Sequence, residues 1–330
     1  MQLSPLAQSR SFLNSLIHIP MDSESTAKVI DQVDLSKFSP KKSFTPTNAA
    51  AMAALATMAY STPEDQKAHL DKQKAVRSFH FLDSKDNESL GIDAPDTGTQ
   101  VSVVETDKAV LVAARGTTPP WFAKDGAENE AQWQDYVSDI AVLPVSNYDD
   151  SARVHGGFKE AADGIWDQLK PYLEQARASH KVVHLAGHSL GAAIALLLAD
   201  RMNEELGVLP QSVIRTGGPD IGWSGEKEHL EESGIAARTF NFVNNIDPIP
   251  LVLPKGSPVG TEIYFDRHGK ANLKNGAHCW DRLLGSTTGI LHGKLGPLYD
   301  HVPAFYNELI TAPRNAEALQ KIADQSSRRK

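Results

Sequence analysis

The stretch from Lys181 to Asp200, KVVHLAGHSLGAAIALLLAD, constrains this chain more than any other. A largely apolar run, Val182 to Ala186, stops at Gly187-His188-Ser189-Leu190-Gly191, and an almost wholly apolar helical stretch, Ala192 to Ala199, follows with no spacer. This is the sequence form of a nucleophile elbow, in which a buried strand turns sharply into a buried helix with a serine at the turn. So tight a turn leaves no room for a Cβ two residues to either side of the serine, and Gly187 and Gly191 stand there. The turn presents the Ser189 hydroxyl and points the free N–H groups of a helix N-terminus at any oxyanion formed beside it. A bare GxSxG occurs by chance. With the strand before it and the buried helix after it, an idle serine in a glycine-flanked turn is the weaker reading.

The phrase VVHLAGHSLGAAIALLLA resembles the elbow of the class 3 lipases, the fungal-lipase-like branch of the α/β-hydrolases. Further segments extend the likeness across residues 48 to 310. The helix opened by Asn48, AAAMAALATMAYS, closes on Tyr60-Ser61 and resembles the N-terminal helix of the bacterial members. The apolar strand Ala109 to Ala114 ends in Arg115-Gly116-Thr117, similar to the family's R-G-S/T segment. That likeness assigns Thr117 to half of an oxyanion hole, and the N–H of Leu190, the residue after the serine, to the other half. Val154 to Phe158 resembles V-H-x-G-F, and Trp133 to Val145 resembles the segment containing W-x-x-D-L. In these segments Asp139 and His155 read as structural residues. The likeness also places a lid just after the oxyanion segment, in the acidic loop Pro119 to Asp135, where Trp121 and Phe122 are the candidate anchors. A plain surface loop explains that stretch nearly as well.

Two partners are needed for the serine. Asn244 to Pro250, NNIDPIP, follows the strand Arg238 to Asn245 and resembles the family's acid segment, so Asp247 is favoured over its rival Asp220. The base must titrate near neutrality, hence a histidine, and in this fold the order is Ser, Asp, His. His268, His278, His292 and His301 all lie beyond Asp247. His301, in YDHVP before a closing helix Ala304 to Ile310, resembles the family's last histidine, with His292 next.

Other strands are expected at Arg77 to Leu82, Gln100 to Glu105 and Ser212 to Thr216. A charged helix is expected over Glu64 to Lys74. A long amphipathic helix should follow Phe158, with Phe158, Ala162, Ile165, Leu169 and Leu173 on its buried face and Pro171 kinking or dividing it. The tail from Arg314 reads as a charged helix with frayed ends. Together these give an α/β-hydrolase fold: a central, mostly parallel sheet flanked by helices over residues 46 to 330, preceded by a partly ordered arm, residues 1 to 45.

Composition narrows the partners. A net charge of −8 argues against nucleic acid and gives no pull towards anionic membrane. The single cysteine, Cys279, allows no internal disulfide, so an oxidising compartment is not required, and a small buried filler is its simplest role. No apolar run approaches the roughly 18 residues of a membrane span. The N-terminus lacks a Sec-type pattern. The cytoplasm is thus the default location, with export by a signal-independent route as the alternative.

The expected chemistry is cofactor-free and metal-free hydrolysis of a carboxylic ester through Ser189, His301 and Asp247. By resemblance the substrate is a glycerol ester or similar lipid, as for a triacylglycerol lipase or esterase acting at a lipid-water interface. A phospholipase A1 or a soluble short-chain esterase would use the same triad. A non-catalytic binding protein on this scaffold is a third reading, which covalent labelling of Ser189 would exclude. The sequence leaves oligomeric state open.

Overall fold

The computed structural model describes residue 29 and residues 34–117, 144–223, 225–251, 259–273 and 300–327. Among these, eight strands form one sheet in the order β1-β2-β3-β6-β7-β8-β9-β10. The strands are β1 (Val76–Asp83), β2 (Gln100–Thr106), β3 (Ala109–Ala114), β6 (Val182–His188), β7 (Ser212–Thr216), β8 (Thr239–Asn244), β9 (Thr261–Phe265) and β10 (Ala271–Asn272). Pairings from β3 through β9 are parallel, whereas β1–β2, β2–β3 and β9–β10 are antiparallel. A separate hairpin joins β4 (Pro144–Ser146) to β5 (Arg153–His155). The sheet is therefore mostly parallel at its centre, as expected for an α/β-hydrolase fold.

The parallel strands are buried on both faces, which is why AVLVAA reads as a continuous apolar run rather than an alternating one. One face carries α1 (Pro46–Met58), α6 (Pro303–Thr311) and α7 (Ala316–Ser326); the other carries α3 (Gly156–Ala178) and α4 (Leu190–Leu206). Between α1 and β1 lies α2 (Pro63–Leu70), and α5 (Glu226–Glu232) lies between β7 and β8. No described helix is long and apolar enough to cross a membrane.

The structure refines several local expectations. Helix α1 begins at Pro46 rather than Asn48, because the Thr45 hydroxyl accepts from the Asn48 N–H as an N-cap and proline suits the first helical position. The Asn48 side chain instead fixes the preceding chain, accepting from the Ser39 N–H and donating to the Ser39 carbonyl, both at 2.9 Å. Residues 34–45 are correspondingly packed: Leu35, Phe38 and Phe44 are buried in the same core as α1. Of the kink or division expected at Pro171, division does not occur: α3 runs unbroken for 23 residues. Pro171 and Asp167, whose carbonyl loses its helical donor there, both lie on the exposed face, where water can serve that carbonyl. In the tail the expected charged helix is α7, which also buries Leu319, Ile322 and Ala323 on the α1 side.

Candidate active site

Ser189 sits at the turn between β6 and α4 with φ 57° and ψ −130°, a backbone conformation unfavourable for a residue carrying a Cβ. The surrounding structure holds it there. A Cβ on Gly187 would lie 2.0 Å from the Gly191 carbonyl oxygen, and one on Gly191 would lie 2.2 Å from the Ala114 carbonyl oxygen. Both glycines of the pentapeptide are thus required by close backbone approach. The Ser189 N–H donates to the Thr216 carbonyl at 3.0 Å, fastening the elbow to the end of β7.

Sheet register brings the other pieces to the same edge. Ala114 pairs with Gly187 and His188 with Thr216, so the chain leaving β3 and the chain leaving β7 flank the serine on either side. Ligand contacts in open parallel sheets gather at this carboxyl edge. A Cβ on Gly116 would come within 3.2 Å of the Ser189 Cβ and within 2.5 Å of the His188 carbonyl oxygen, so the Arg115-Gly116-Thr117 segment lies directly against the elbow. Thr117 is half-buried. Leu190 is the first residue of α4, where a backbone N–H has no helical acceptor.

His301 Nε2 lies 2.8 Å from Ser189 Oγ, and its Nδ1 lies 2.8 Å from Asp247 Oδ2. An ionised carboxylate only accepts, so Nδ1 carries the ring proton and Nε2 turns its lone pair to the serine hydroxyl. All three side chains are buried, with Asp247 fully so. Asp247 follows β8, and its Oδ1 accepts from the Ile249 N–H at 2.9 Å. Asp220 instead lies near Arg215; burial raises its carboxyl to about 6 despite that cation. His268 is exposed in the β9–β10 turn. His278, His292, Cys279, Asp139, Trp121 and Phe122 lie outside the described residues. His155 caps α3 by accepting from the Phe158 N–H at 3.3 Å, and burial lowers its pKa.

Four neighbours complete the site that no single segment of sequence singles out. The Tyr306 hydroxyl donates to Asp247 Oδ2 at 2.5 Å while accepting from the Asn244 N–H at 3.1 Å, so the hydroxyl proton is committed to the acid. Burial, then the Asp247 charge, pushes the Tyr306 phenol well above its ordinary pKa and keeps it a donor. Gly217 has φ 56°, and a Cβ there would lie 2.7 Å from Asp247 Oδ2 and 2.9 Å from His301 Nδ1. His188 Nε2 donates to the His301 carbonyl at 2.8 Å, and His188 Nδ1 accepts from the Tyr60 hydroxyl at 3.0 Å. Burial drives the His188 pKa well down, so it serves as a neutral bridge between α1 and the histidine. Arg215, fully enclosed, donates to the Ala192 and Pro219 carbonyls and to Asn241 Oδ1, tying α4 to the turn that bears Gly217. An arginine inside the apolar strand SVIRT was the available signal for this tie.

A buried Ser-His-Asp chain with its serine on a strained strand-to-helix turn, at the carboxyl edge of a parallel sheet, defines the α/β-hydrolase class. Residues 121–256 match the family model described as Lipase (class 3). Over 189 residues the chain is 28% identical to phospholipase A1-II 4 of Oryza sativa subsp. japonica, covering 50% of this chain and 46% of that protein. It is 31% identical over 112 residues to a secreted mono- and diacylglycerol lipase, LIP4, of Malassezia restricta, covering 33% of this chain and 36% of that one. The chain therefore spans less than half the length of either relative. Among solved structures, the Lip2 lipase of Yarrowia lipolytica superposes with a TM-score of 0.56 at 16% identity, covering 78% of this chain and 92% of that one, a likeness of fold.

Proposed function

We propose that this chain hydrolyses carboxylic esters of glycerolipids through an acyl-enzyme. The supporting observation is the continuous hydrogen-bonded path from Ser189 Oγ through His301 to Asp247, 2.8 Å at each step. Ser189 Oγ attacks the ester carbonyl carbon as His301 Nε2 takes its proton. Asp247 stabilises the imidazolium and keeps its orientation. The tetrahedral oxyanion is held by the Leu190 N–H and by Thr117; removing one such donor commonly costs about 100- to 1,000-fold in rate. The C–O bond then breaks as imidazolium returns its proton to the leaving alcohol, and water releases the acid by the same steps in reverse order of partners.

A triacylglycerol-type substrate is the leading reading, acting at a lipid-water interface with Trp121 and Phe122 as lid anchors. A phospholipase A1 reading also has support, because one of the relatives named above is a phospholipase A1. The relatives named above are plant and fungal, so the bacterial branch rests only on the helix ending at Tyr60-Ser61. The cytoplasm is the proposed location, by default. The deciding measurement is hydrolysis of p-nitrophenyl esters from short to long chain, emulsified triacylglycerol and phosphatidylcholine by wild type and Ser189→Ala. Long-chain and emulsion activity that disappears in the variant is expected. Activity on short soluble esters alone would remove the lipase reading, and activity unchanged in Ser189→Ala would remove the mechanism.

A further inference from the structure

Asp247 stands in the loop that leaves β8, and His301 stands just ahead of α6. The residue before His301, Asp300, grips the three residues before Asp247. Its carboxylate Oδ2 accepts from the Asn245 side-chain amide at 2.8 Å and from the Ile246 N–H at 3.3 Å. Its backbone carbonyl accepts from the Asn244 side-chain amide at 2.9 Å. We infer that Asp300 and Asn245 are positioning residues for ester cleavage, a clamp that sets how the acid meets the histidine. For its kinetic consequences the clamp rests on the hydrolase reading above.

The clamp adjoins the bond it serves. His301 Nδ1 meets Asp247 Oδ2 at 2.8 Å, one residue along the chain from the contact between Asp300 and Ile246. Two further bonds fix the acid loop to the sheet. The Asp247 N–H donates to the Asn244 carbonyl at 2.8 Å, closing a turn, and the Asn245 N–H donates to the Phe265 carbonyl at 2.7 Å. The bonds to Asp300 fix the same loop to the histidine. Helix α6 has an anchor of its own, because Asn307 donates to the Thr57 hydroxyl of α1 at 2.7 Å. Asp300 is not needed to seat it.

Asn245 itself bears costs that local folding does not explain. Its φ is 40°, in the left-handed region that asparagine tolerates better than most residues carrying a Cβ. Its amide oxygen is buried with no hydrogen-bond partner. A left-handed backbone and an unsatisfied buried oxygen both oppose folding, and strain of this kind collects where geometry serves chemistry. What the residue gains in that pose is the bond from its amide nitrogen to Asp300. During the reaction imidazolium forms between Ser189 and Asp247, and both of its bonds must stay aligned. A misplacement of about 1 Å can cost about 100-fold in rate. The clamp holds the acid under Nδ1 while the ring accepts the proton and returns it.

The test joins ester kinetics, counted per active site by end-point fluorophosphonate labelling, to the downfield proton resonance of the His301–Asp247 hydrogen bond. Asp300→Ala should lower kcat about 10- to 100-fold with KM within about twofold, and should move that resonance. Asp300→Asn keeps an acceptor oxygen in place and should hold kcat within about threefold of wild type. Asn245→Gly keeps the left-handed backbone, loses the amide, and should lower kcat about tenfold. Joined to Asp300→Ala it should add little, because both remove one bond. Thermal melts establish that each variant is folded. Unchanged kcat and resonance in Asp300→Ala, or in Asn245→Gly should the former not fold, overturns the clamp. So does an Asp300→Asn variant as impaired as Asp300→Ala, which would assign the effect to charge, or a double variant whose losses multiply. The resonance needs no substrate. A wild type that cleaves no ester therefore removes the hydrolase reading, while the clamp stands or falls on the shift.

Discussion

Asp247 takes a proton donor from each side, His301 Nδ1 and the Tyr306 hydroxyl, on one oxygen. Removing the second donor leaves a fully buried carboxylate with less compensation, and hydrogen bonds to charged groups are worth about 1.5–3 kcal/mol. Tyr306→Phe should therefore lower kcat about 10- to 100-fold with KM little changed, the pattern of a group that matters most once imidazolium forms. Steady-state kinetics read this directly. A melting curve taken beside them separates the effect from the loss of the Asn244 N–H acceptor, and unchanged kcat would leave Tyr306 a packing residue. Gly217 belongs to the same argument: its missing Cβ is the space in which acid and imidazole meet.

Helix α5 is attached through groups whose protonation changes on folding. Hydrogen bonding to Asp200 raises the His229 pKa to about 9 against the opposing pull of burial. Desolvation, with the Asp200 charge adding to it, raises Glu226 to about 8. Both folded values exceed the unfolded ones, so the unfolded chain binds fewer protons in this range and stability falls as pH rises. The Glu226 contribution is whole below about 4.5 and lost through about 8; that of His229 is whole below about 6.5 and lost through about 9. Urea unfolding should show a lower midpoint at pH 8.5 than at pH 6. Glu226→Gln should flatten the decline between those values; an equal slope in the variant would place the titration elsewhere.

Across the whole molecule, the core on the α1 side reaches outside the expected domain. Phe44 is 1% exposed and packs on Phe240 and Phe242 with ring centroids 4.6 and 6.4 Å away. His184, inside β6, reaches the Pro40 carbonyl at 2.8 Å. Residues 34–45 are thus a layer of the hydrolase unit. Phe44→Ala should cost about 3–5 kcal/mol, the range for emptying a buried aromatic site. Chemical denaturation measures it, and a loss under about 1 kcal/mol would show that this stretch is not part of the hydrolase core.

The elbow was fully legible from the chain because its constraints are local: two glycines, a strand and a helix within twenty residues encode the strained turn and the Cβ-free contacts around it. The apolar runs of β3 and β6 were legible for the same reason, since burial on both faces writes itself as a largely unbroken apolar pattern. Asp247 and His301 could be ranked but not placed, because their meeting spans 54 residues and that of His301 with Ser189 spans 112. Tyr306 and Gly217 carry no local signal for their contacts with the triad, and Arg215 signals only that a charge is buried in a strand, not what it ties; sheet register and the seating of α6 decide these contacts. The same holds for the ion pairs of His229 with Asp149 and Asp200, ordinary polar residues of a hairpin and two helices. Side-chain type is a property of the sequence, whereas distance, burial and the lack of a partner exist only once distant segments pack together.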